Sequence, residues 1–194
     1  MSNTSATGGY LAPDTSSPNR TELEEQLRGC VAAIVGLAGK QVRPRWQRTP
    51  APVPHADTDW CSLGILSTSV PGEPATIPDS TGEGGDVQLL WRRFRVQCSF
   101  YGPGAHDLTA RLAAGLAVSQ NRSALRAAGL AFVEMGDPVA VPELAGSDWV
   151  ERVDAELFFD FEERRTYPVH NLEGGNLVIR TDTGQTRNVT IKED

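Results

Sequence analysis

Cysteine is scarce in this chain. Its 194 residues include only Cys30, Cys61 and Cys98, and no two of them form a C-x-x-C pair. An odd number of widely spaced cysteines predicts neither a disulfide framework nor a zinc site. We therefore expect them to be small buried apolar side chains in a protein made in a reducing cytoplasm.

Long hydrophobic runs are lacking as well. The longest apolar stretch, residues 30–39, has roughly half the length that a membrane-spanning helix needs. Residues 1–20 contain no apolar signal core. The sequence therefore predicts neither a secretion signal nor a membrane partner.

Positive charge is in deficit. The chain has 18 Lys and Arg residues against 25 Asp and Glu residues, which gives a net charge of −7. General nucleic-acid binding relies on the attraction of phosphates to a positive surface, so this balance argues against it. It agrees with a role beside DNA where only weak contact is wanted.

Sequence signatures of catalysis are missing. Residues 36–40 (GLAGK) end like a phosphate-binding loop, but Ile34 stands where its first glycine belongs, and Gln41 replaces the residue that would hold magnesium. The chain has no G-x-S-x-G elbow and no H-E-x-x-H motif. Its three histidines lie in separate segments and are interpreted as surface or turn residues: His55, His106 and His170. We predict that the chain is not an enzyme and has no catalytic residue and no cofactor.

One set of acidic residues leaves open the alternative of a metal site. Asp57 and Asp59 are close enough in sequence to bind a metal ion together with Glu83 or Asp86. Such residues are more often solvated loop acids, so we predict no metal site.

The periodicity of apolar residues predicts the secondary structure. Thr21 and Glu24 have the spacing of a capping box, and apolar residues then recur at helical spacing up to about Gly39. Residues 71–86 are rich in glycine and proline and are predicted to be a flexible polar loop. Strands are predicted over residues 60–70, 87–101, 130–141 and 149–161, and a second helix over residues 105–120 with a further turn or two to Ala128. The helix is expected to have an apolar face of Leu108, Leu112 and Leu116, and the strands to bury Phe94, Val96, Phe100, Leu157 and Phe159.

These elements predict an α+β fold. Its mainly antiparallel sheet carries two principal helices packed on one face, with long loops and a C-terminal β-hairpin around residues 182–184. Residues 1–20 are predicted to be a flexible N-terminal arm with Tyr10 and Leu11 as its anchor. Residues 21–172 then form the α+β domain, and residues 173–194 a C-terminal hairpin extension.

Several short segments resemble a known family. They occur in this order: residues 7–11 (TGGYL), 42–47 (VRPRWQ), 59–60 (DW), 99–103 (SFYGP), 120–122 (QNR), 142–144 (PEL) and 165–169 (RTYPV). In this order they resemble the phage neck terminator proteins over roughly residues 7–172. No single segment is distinctive, but the ordered set is fairly specific.

The resemblance implies a structural virion protein in the neck of a tailed phage, made in the cytoplasm of the bacterial host. It implies a ring, usually six-fold, that terminates the tail tube and joins it to the head connector around a DNA channel. The implied partners are further copies of the chain, head-connector or adaptor proteins, and tail-tube and possibly sheath proteins. Genomic DNA would pass through the ring without specific binding. The family offers no catalytic residues to transfer.

A ring subunit needs extensions that reach its neighbours, and the chain offers three: residues 1–20, 43–59 and 71–86. The basic residues of the strand over residues 87–101 are expected to pair with acids on a neighbouring strand or subunit. The candidate interface residues are Tyr10, Leu11, Arg43, Arg45, Trp46, Glu73, Asp79, Glu83, Asp86, Arg93, Arg95 and Tyr167.

Three other functions stay open at this stage. The first is another virion protein, such as a head-completion adaptor or a tail-tube protein. A small cytoplasmic hydrolase would use Asp57, Asp59 and a histidine. A DNA-binding module would show an affinity that falls steeply with salt.

Overall fold

The computed structural model describes residues 3–13, 18–145, 148–170 and 174–192. The ends of the predicted arm and of the C-terminal extension, with residues 14–17 and 171–173, therefore lie outside the described residues. The described helices are α1 (Arg20–Val35), α2 (Ala105–Ala117) and α3 (Ser123–Ala127). The described strands are β1 (Val42–Pro44), β2 (Trp60–Ser69), β3 (Ala75–Asp79), β4 (Gly85–Tyr101), β5 (Leu130–Met135), β6 (Val139–Ala140), β7 (Glu143–Ala145), β8 (Asp148–Val150), β9 (Arg152–Tyr167), β10 (Gly174–Arg180) and β11 (Thr186–Lys192). The predicted α+β class and the C-terminal hairpin are confirmed.

The chain divides into two compact units. We call Ser17–Pro74 with Leu90–Glu163 the core unit, and Met1–Ser16 with Ala75–Leu89 and Arg164–Asp194 the ribbon unit. The long strands β4 and β9 contribute residues to both.

The core unit contains the main sheet, whose strand order is β1-β2-β4-β9-β5. β2 runs antiparallel to β4, and β5 runs antiparallel to β9, whereas the short β1 lies parallel to β2. Alternate residues are buried along β9 from Val153 to Glu163 and along β4 from Phe94 to Cys98, as a period of two predicts, whereas the last four residues of β4 are all buried. The buried residues named from the sequence are confirmed: Phe94, Val96, Phe100, Leu157 and Phe159.

Helix α1 begins two residues earlier than predicted. The side chain of Asn19 accepts a hydrogen bond from the backbone N–H of Glu22, and the Glu22 carboxylate accepts one from the N–H of Asn19. The predicted capping box at Thr21 and Glu24 was therefore wrong, because Glu24 instead binds Arg20 and the backbone N–H of Ile65. The helix ends at Val35, before a left-handed Gly36.

Helix α2 is shorter than predicted. It ends at Ala117, and residues 119–122 form a 3-10 turn before α3. Its predicted apolar face is confirmed, since Leu108, Leu112 and Leu116 are buried in the same cluster as the α1 residues Leu23 and Leu27. A Cβ atom on Gly115 would lie 2.3 Å from Cγ2 of Ile34, so this glycine permits the close approach of α1 and α2.

Residues 71–86 are not the flexible loop that the sequence predicted. Residues 75–79 form β3, which pairs antiparallel with residues 85–89 of β4, from Ala75 opposite Leu89 to Asp79 opposite Gly85. The glycines and prolines misled the prediction. Proline lacks a backbone donor, but Pro78 is tolerated because β3 is an edge strand that pairs with β4. The turn at residues 80–84 uses left-handed conformations at Gly82 and Gly84.

The ribbon unit contains the β3–β4 pairing and the separate two-stranded sheet of β10 and β11. β10 and β11 pair antiparallel from Gly174 opposite Lys192 to Arg180 opposite Thr186. The N-terminal segment is attached at Ser5, whose N–H donates to the carbonyl of Pro168 and whose hydroxyl accepts from the N–H of His170.

Among the described helices, none is long and apolar enough to cross a membrane.

Candidate functional site

Three of the predicted interface residues meet at an open cleft of the core unit. Arg43, Arg45 and Trp46 follow the buried Val42 along β1 and the segment after it, and the N–H of Arg45 continues the pairing by donating to the carbonyl of Leu63. The cleft encloses about 460 Å³. We call it the arginine–aromatic cleft; it is lined by Arg43, Pro44, Arg45, Trp46, Gln47, Pro50, Ala51, Val53, Trp60, Ser62 and Tyr101.

Stacked aromatic rings form the floor of the cleft. Trp60 of β2 and Tyr101 of β4 are opposite each other in register, and their rings stack with centroids 4.2 Å apart and planes 6° apart. The guanidinium of Arg43 lies 5.5 Å from the centre of the Trp60 ring, and that of Arg152 lies 5.5 Å from the Tyr101 ring. Each distance is within the range of a cation–π interaction, so the two arginines help to hold the stack.

Trp46 is the exposed wall of the cleft. It lies between two guanidinium groups at 5.4 Å (Arg20) and 5.8 Å (Arg45), and 56% of the residue is exposed. A Cβ atom on Gly64 of β2 would lie 2.8 Å from the Trp46 ring and 2.9 Å from Cβ of Arg45. Glycine at position 64 therefore provides the space in which Trp46 lies against the strand.

The positive charge of the cleft is only partly balanced. Arg43 donates to the carbonyl of Pro52, and Arg45 donates to the hydroxyl of Ser99. Within the described part of the chain, neither guanidinium forms a salt bridge. Both hydrogen bonds are to neutral acceptors, and the residues that line the cleft include two arginines and no acid.

Arg152 is neutralised, in contrast. It forms salt bridges with Asp154 and Glu143 at 2.8 and 3.0 Å. Burial raises the pKa of Asp154, but hydrogen bonds from Arg152 and Ser99 and the nearby charges of Arg152 and Arg45 outweigh it and lower the pKa overall. Asp154 is therefore ionised and fixes Arg152 behind the stack.

Asp59 holds the backbone beside the cleft. Its Oδ1 accepts a hydrogen bond of 2.7 Å from the N–H of Gly104, the N-cap of α2, and its carbonyl accepts one from Gln41. Cβ atoms on Gly102 or Gly104 would lie within 2.6 Å of the Asp59 carboxylate. The residue thus has a structural role at the start of α2.

The other groups considered for chemistry do not converge with Asp59. Nδ1 of His55 lies 3.3 Å from a carboxylate oxygen of Asp57, and most of both side chains is exposed. In the described ranges, no three His, Cys, Asp or Glu side chains come together as a metal site requires. Burial raises the pKa of the Cys61 thiol well above its usual range, with Cys98 adding to the effect, and Cys61 and Cys98 are both buried free thiols.

Two further interface candidates are paired within the chain. Arg93 forms a bidentate salt bridge with Asp160 at 2.7 and 2.9 Å, and Arg95 forms a salt bridge with Glu156 through one guanidinium nitrogen. The expected pairing with acids on a neighbouring strand is seen, since both acids lie on β9. These arginines are therefore less available to a partner than Arg43 and Arg45.

The remaining candidates lie outside the cleft. Glu73 is exposed at the end of the first core-unit segment, and the others belong to the ribbon unit: Tyr10, Leu11, Asp79, Glu83, Asp86 and Tyr167. Tyr10 is 98% exposed. Asp79 accepts hydrogen bonds from Thr81 in the β3–β4 turn.

Sequence reasoning missed part of the cleft. Tyr101, Arg152 and Gly64 were not named as candidates, although Tyr101 stands in one of the recurring segments. It also missed two large exposed apolar residues on the β7–β8 hairpin, Leu144 and Trp149, which are opposite each other in register. Alternation along each strand was the only signal available, and it does not show which strands are neighbours.

Comparison with known proteins identifies the family. The sequence profile described as phage neck terminator protein matches residues 21–184 of the 194. No curated protein matches the chain. The matched range contains the whole arginine–aromatic cleft and the β3–β4 hairpin, and it covers most of the chain. The chain belongs to the phage neck terminator protein family.

Proposed function

We propose that the chain forms a closed ring in the neck of a tailed phage, terminates the tail tube there and joins it to the head connector. The family match over residues 21–184 carries this proposal, since its description names a neck terminator. The proposed ring is a hexamer. Its proposed partners are further copies of the chain, head-connector or adaptor proteins, and the tail-tube and possibly sheath proteins.

The surface of the chain supports assembly rather than catalysis. A ring needs two different, complementary surfaces on each subunit. The core unit offers an open cleft with unbalanced positive charge, whereas the residues considered for a hydrolase are tied to structure or exposed. We also propose that residues 1–20 act as an arm and residues 173–194 as an extension that reach neighbouring proteins from the 21–172 domain.

The net charge of −7 supports a channel through which DNA passes. A strongly basic wall would bind the phosphates and retard passage, whereas an acidic or neutral wall would not. The proposal therefore includes contact with genomic DNA but no specific binding.

The decisive experiment removes the protein from an infected cell. A phage with a stop codon early in this gene should yield heads without tails, together with tails of undefined length, because nothing terminates the tube. Supplying the chain from a plasmid should restore infectious particles, and a reconstruction of the neck should then place it as a ring at the end of the tube.

The same experiment separates the alternatives. A head-completion adaptor would leave finished tails of normal length that fail to attach to heads. A tail-tube protein would leave no tails at all. Either pattern would overturn the terminator assignment, and a chain present as a single copy in the neck would overturn the ring.

A further inference from the structure

The arginine–aromatic cleft has the properties of a binding site for a carboxylate-bearing protein segment. Arg43 and Arg45 face neutral acceptors in the subunit, so both guanidiniums keep N–H groups for an added anion. Trp46 adds an exposed aromatic wall. A volume of about 460 Å³ is large enough for a tight turn and too small for a folded element such as a helix.

A segment with the matching chemistry is present in the same chain. We call Ala75–Leu89 the acidic hairpin; it comprises β3, its turn and the start of β4. It contains three acids and no lysine or arginine: Asp79, Glu83 and Asp86. The side chain of Glu83 is 89% exposed.

The tip of the acidic hairpin is slender. Its turn, residues 80–84, consists of Ser, Thr, Gly, Glu and Gly, so Glu83 is the only large side chain there. Pro78 and Asp86 are opposite each other in register and therefore point to the same face of the ribbon. One face of the tip thus presents a proline ring beside a carboxylate, which suits a cleft that combines an aromatic wall with arginines.

Hydrogen bonds from the Thr81 side chain and backbone lower the pKa of Asp79. The tip is therefore negatively charged at neutral pH, and it stays so below the pH at which an ordinary aspartate is protonated.

We propose that the acidic hairpin of one copy inserts its tip into the arginine–aromatic cleft of the next copy, with Glu83 and Asp86 contacting Arg43 and Arg45. This inference rests on the proposed ring and names the contact that closes it. The two surfaces are different, so the contact runs head to tail as a cyclic ring requires. Within the subunit Arg43 and Arg45 donate to neutral oxygens, and the Glu83 carboxylate lies 4.0 Å from His170, so the proposed contact adds arginine–carboxylate pairs to both surfaces.

DNA is the other anion that the cleft would attract. An overall charge of −7 disfavours it, because the phosphate backbone would be repelled by the rest of the subunit. The acidic hairpin occurs on every copy at the same concentration as the cleft, so the chain itself is the better occupant.

Charge reversal tests the contact. The variant Arg43→Glu with Arg45→Glu, and separately the variant Glu83→Arg with Asp86→Arg, should each reduce ring formation at least tenfold in light scattering of the full chain. Each should also reduce the yield of infectious particles from a plasmid-complemented phage by a similar factor. A mixture of the two variants should form rings again, because each reversed cleft then meets a reversed hairpin. The chain with all four reversals should assemble alone.

The matched control changes the same number of charges elsewhere. Arg111→Glu with Arg126→Glu reverses two exposed arginines of the core unit that do not line the cleft, and it should leave assembly and yield unchanged. Rescue by the mixture also shows that the reversed subunits are folded.

Three results would overturn the contact. The first is normal assembly and particle yield of either reversed variant. The second is failure of both the mixture and the chain with four reversals to restore light scattering and particle yield. The third is quenching of tryptophan fluorescence by a single-stranded oligonucleotide in the wild type but not in the variant with the reversed cleft. The neck reconstruction remains a separate criterion: a ring in the neck without charge rescue refutes this contact alone. If charge reversal rescues the oligomers but the reconstruction shows no copy of this chain in the neck, the proposed function is refuted and the contact is not.

Discussion

The core unit and the ribbon unit are stabilised by different interactions. Every residue of the hydrophobic core cluster lies in the core unit. Among the described side chains of the ribbon unit, none belongs to that cluster, and several apolar ones are largely exposed: Tyr10, Ile77, Val178 and Ile179. The ribbon unit depends instead on backbone hydrogen bonds between paired strands, which alone give marginal stability in water.

This difference indicates that the two units depend to different degrees on a binding partner for their stability. A packed core holds its shape without a partner, whereas paired strands with exposed apolar residues gain stability from whatever covers them. Strand β4 passes through both environments. It is mostly buried from Phe94 to Tyr101 and partly exposed from Asp86 to Leu90. Assembly contacts are therefore expected to order the ribbon unit, and core mutations to act on folding.

The sharpest test of this comparison truncates one apolar side chain in each unit. Phe100 is fully buried, so Phe100→Ala should lower the free energy of unfolding by about 3–5 kcal/mol through lost contacts and a residual cavity. Ile77 is half exposed, and Ile77→Ala should change the free energy of unfolding by no more than about 0.5 kcal/mol. Urea titration followed by circular dichroism measures both. Similar losses at the two sites would show that the ribbon unit has a core of its own.

The sequence predicted the regions where one force dominates. In β4, β9 and α2, burial imposes a clear period, and the predicted inward residues are the buried ones. The start of α1 was misplaced because two overlapping boxes, Asn19 with Glu22 and Thr21 with Glu24, have the same spacing. Only the position of β2, whose Ile65 binds Glu24, decides between them.

The arginine–aromatic cleft shows the limit of prediction for the site. Arg43, Arg45 and Trp46 are neighbours in sequence and were named together. Their arrangement around Trp60 and Tyr101 depends on the pairing of β2 with β4, which joins residues 41 positions apart. Likewise, the acidic hairpin forms because residues 75–79 and 85–89 pair, which its glycine and proline content concealed.

A smaller effect is expected from the ion pairs on the polar face of the core sheet. The hydrogen bond from Arg93, together with its charge, lowers the pKa of Asp160 although burial opposes this. A folded-state pKa below the unfolded value stabilises the fold above about pH 3.9, and this contribution is lost as the pH falls through the lower folded pKa. Asp160→Asn should therefore cost less than about 1 kcal/mol at pH 7, since much of the pair is exposed and screened.

The pH dependence of the free energy of unfolding tests whether the Arg93–Asp160 pair stabilises the fold through its charges. The difference in stability between wild type and Asp160→Asn should disappear at acid pH and shrink at high salt. Arg93→Gln with Asp160→Asn is the matched control: its stability should be close to that of Asp160→Asn alone, because either substitution already removes the ion pair. A stability difference for Asp160→Asn that persists below pH 2 would contradict an electrostatic origin.

The smallest effect on stability is expected from removing the acidic hairpin altogether. Ala75 pairs with Leu89, so Pro74 and Leu90 lie at the base of the hairpin and can be joined by a short glycine-containing turn after excision of Ala75–Leu89. No residue of the excised segment belongs to the hydrophobic core, so the free energy of unfolding of the remaining chain should change by no more than about 0.5 kcal/mol. The excised chain should nevertheless fail to form rings and to restore infectious particles. Loss of more than about 2 kcal/mol would show that the hairpin supports the core, and normal particle yields would show that assembly does not need it.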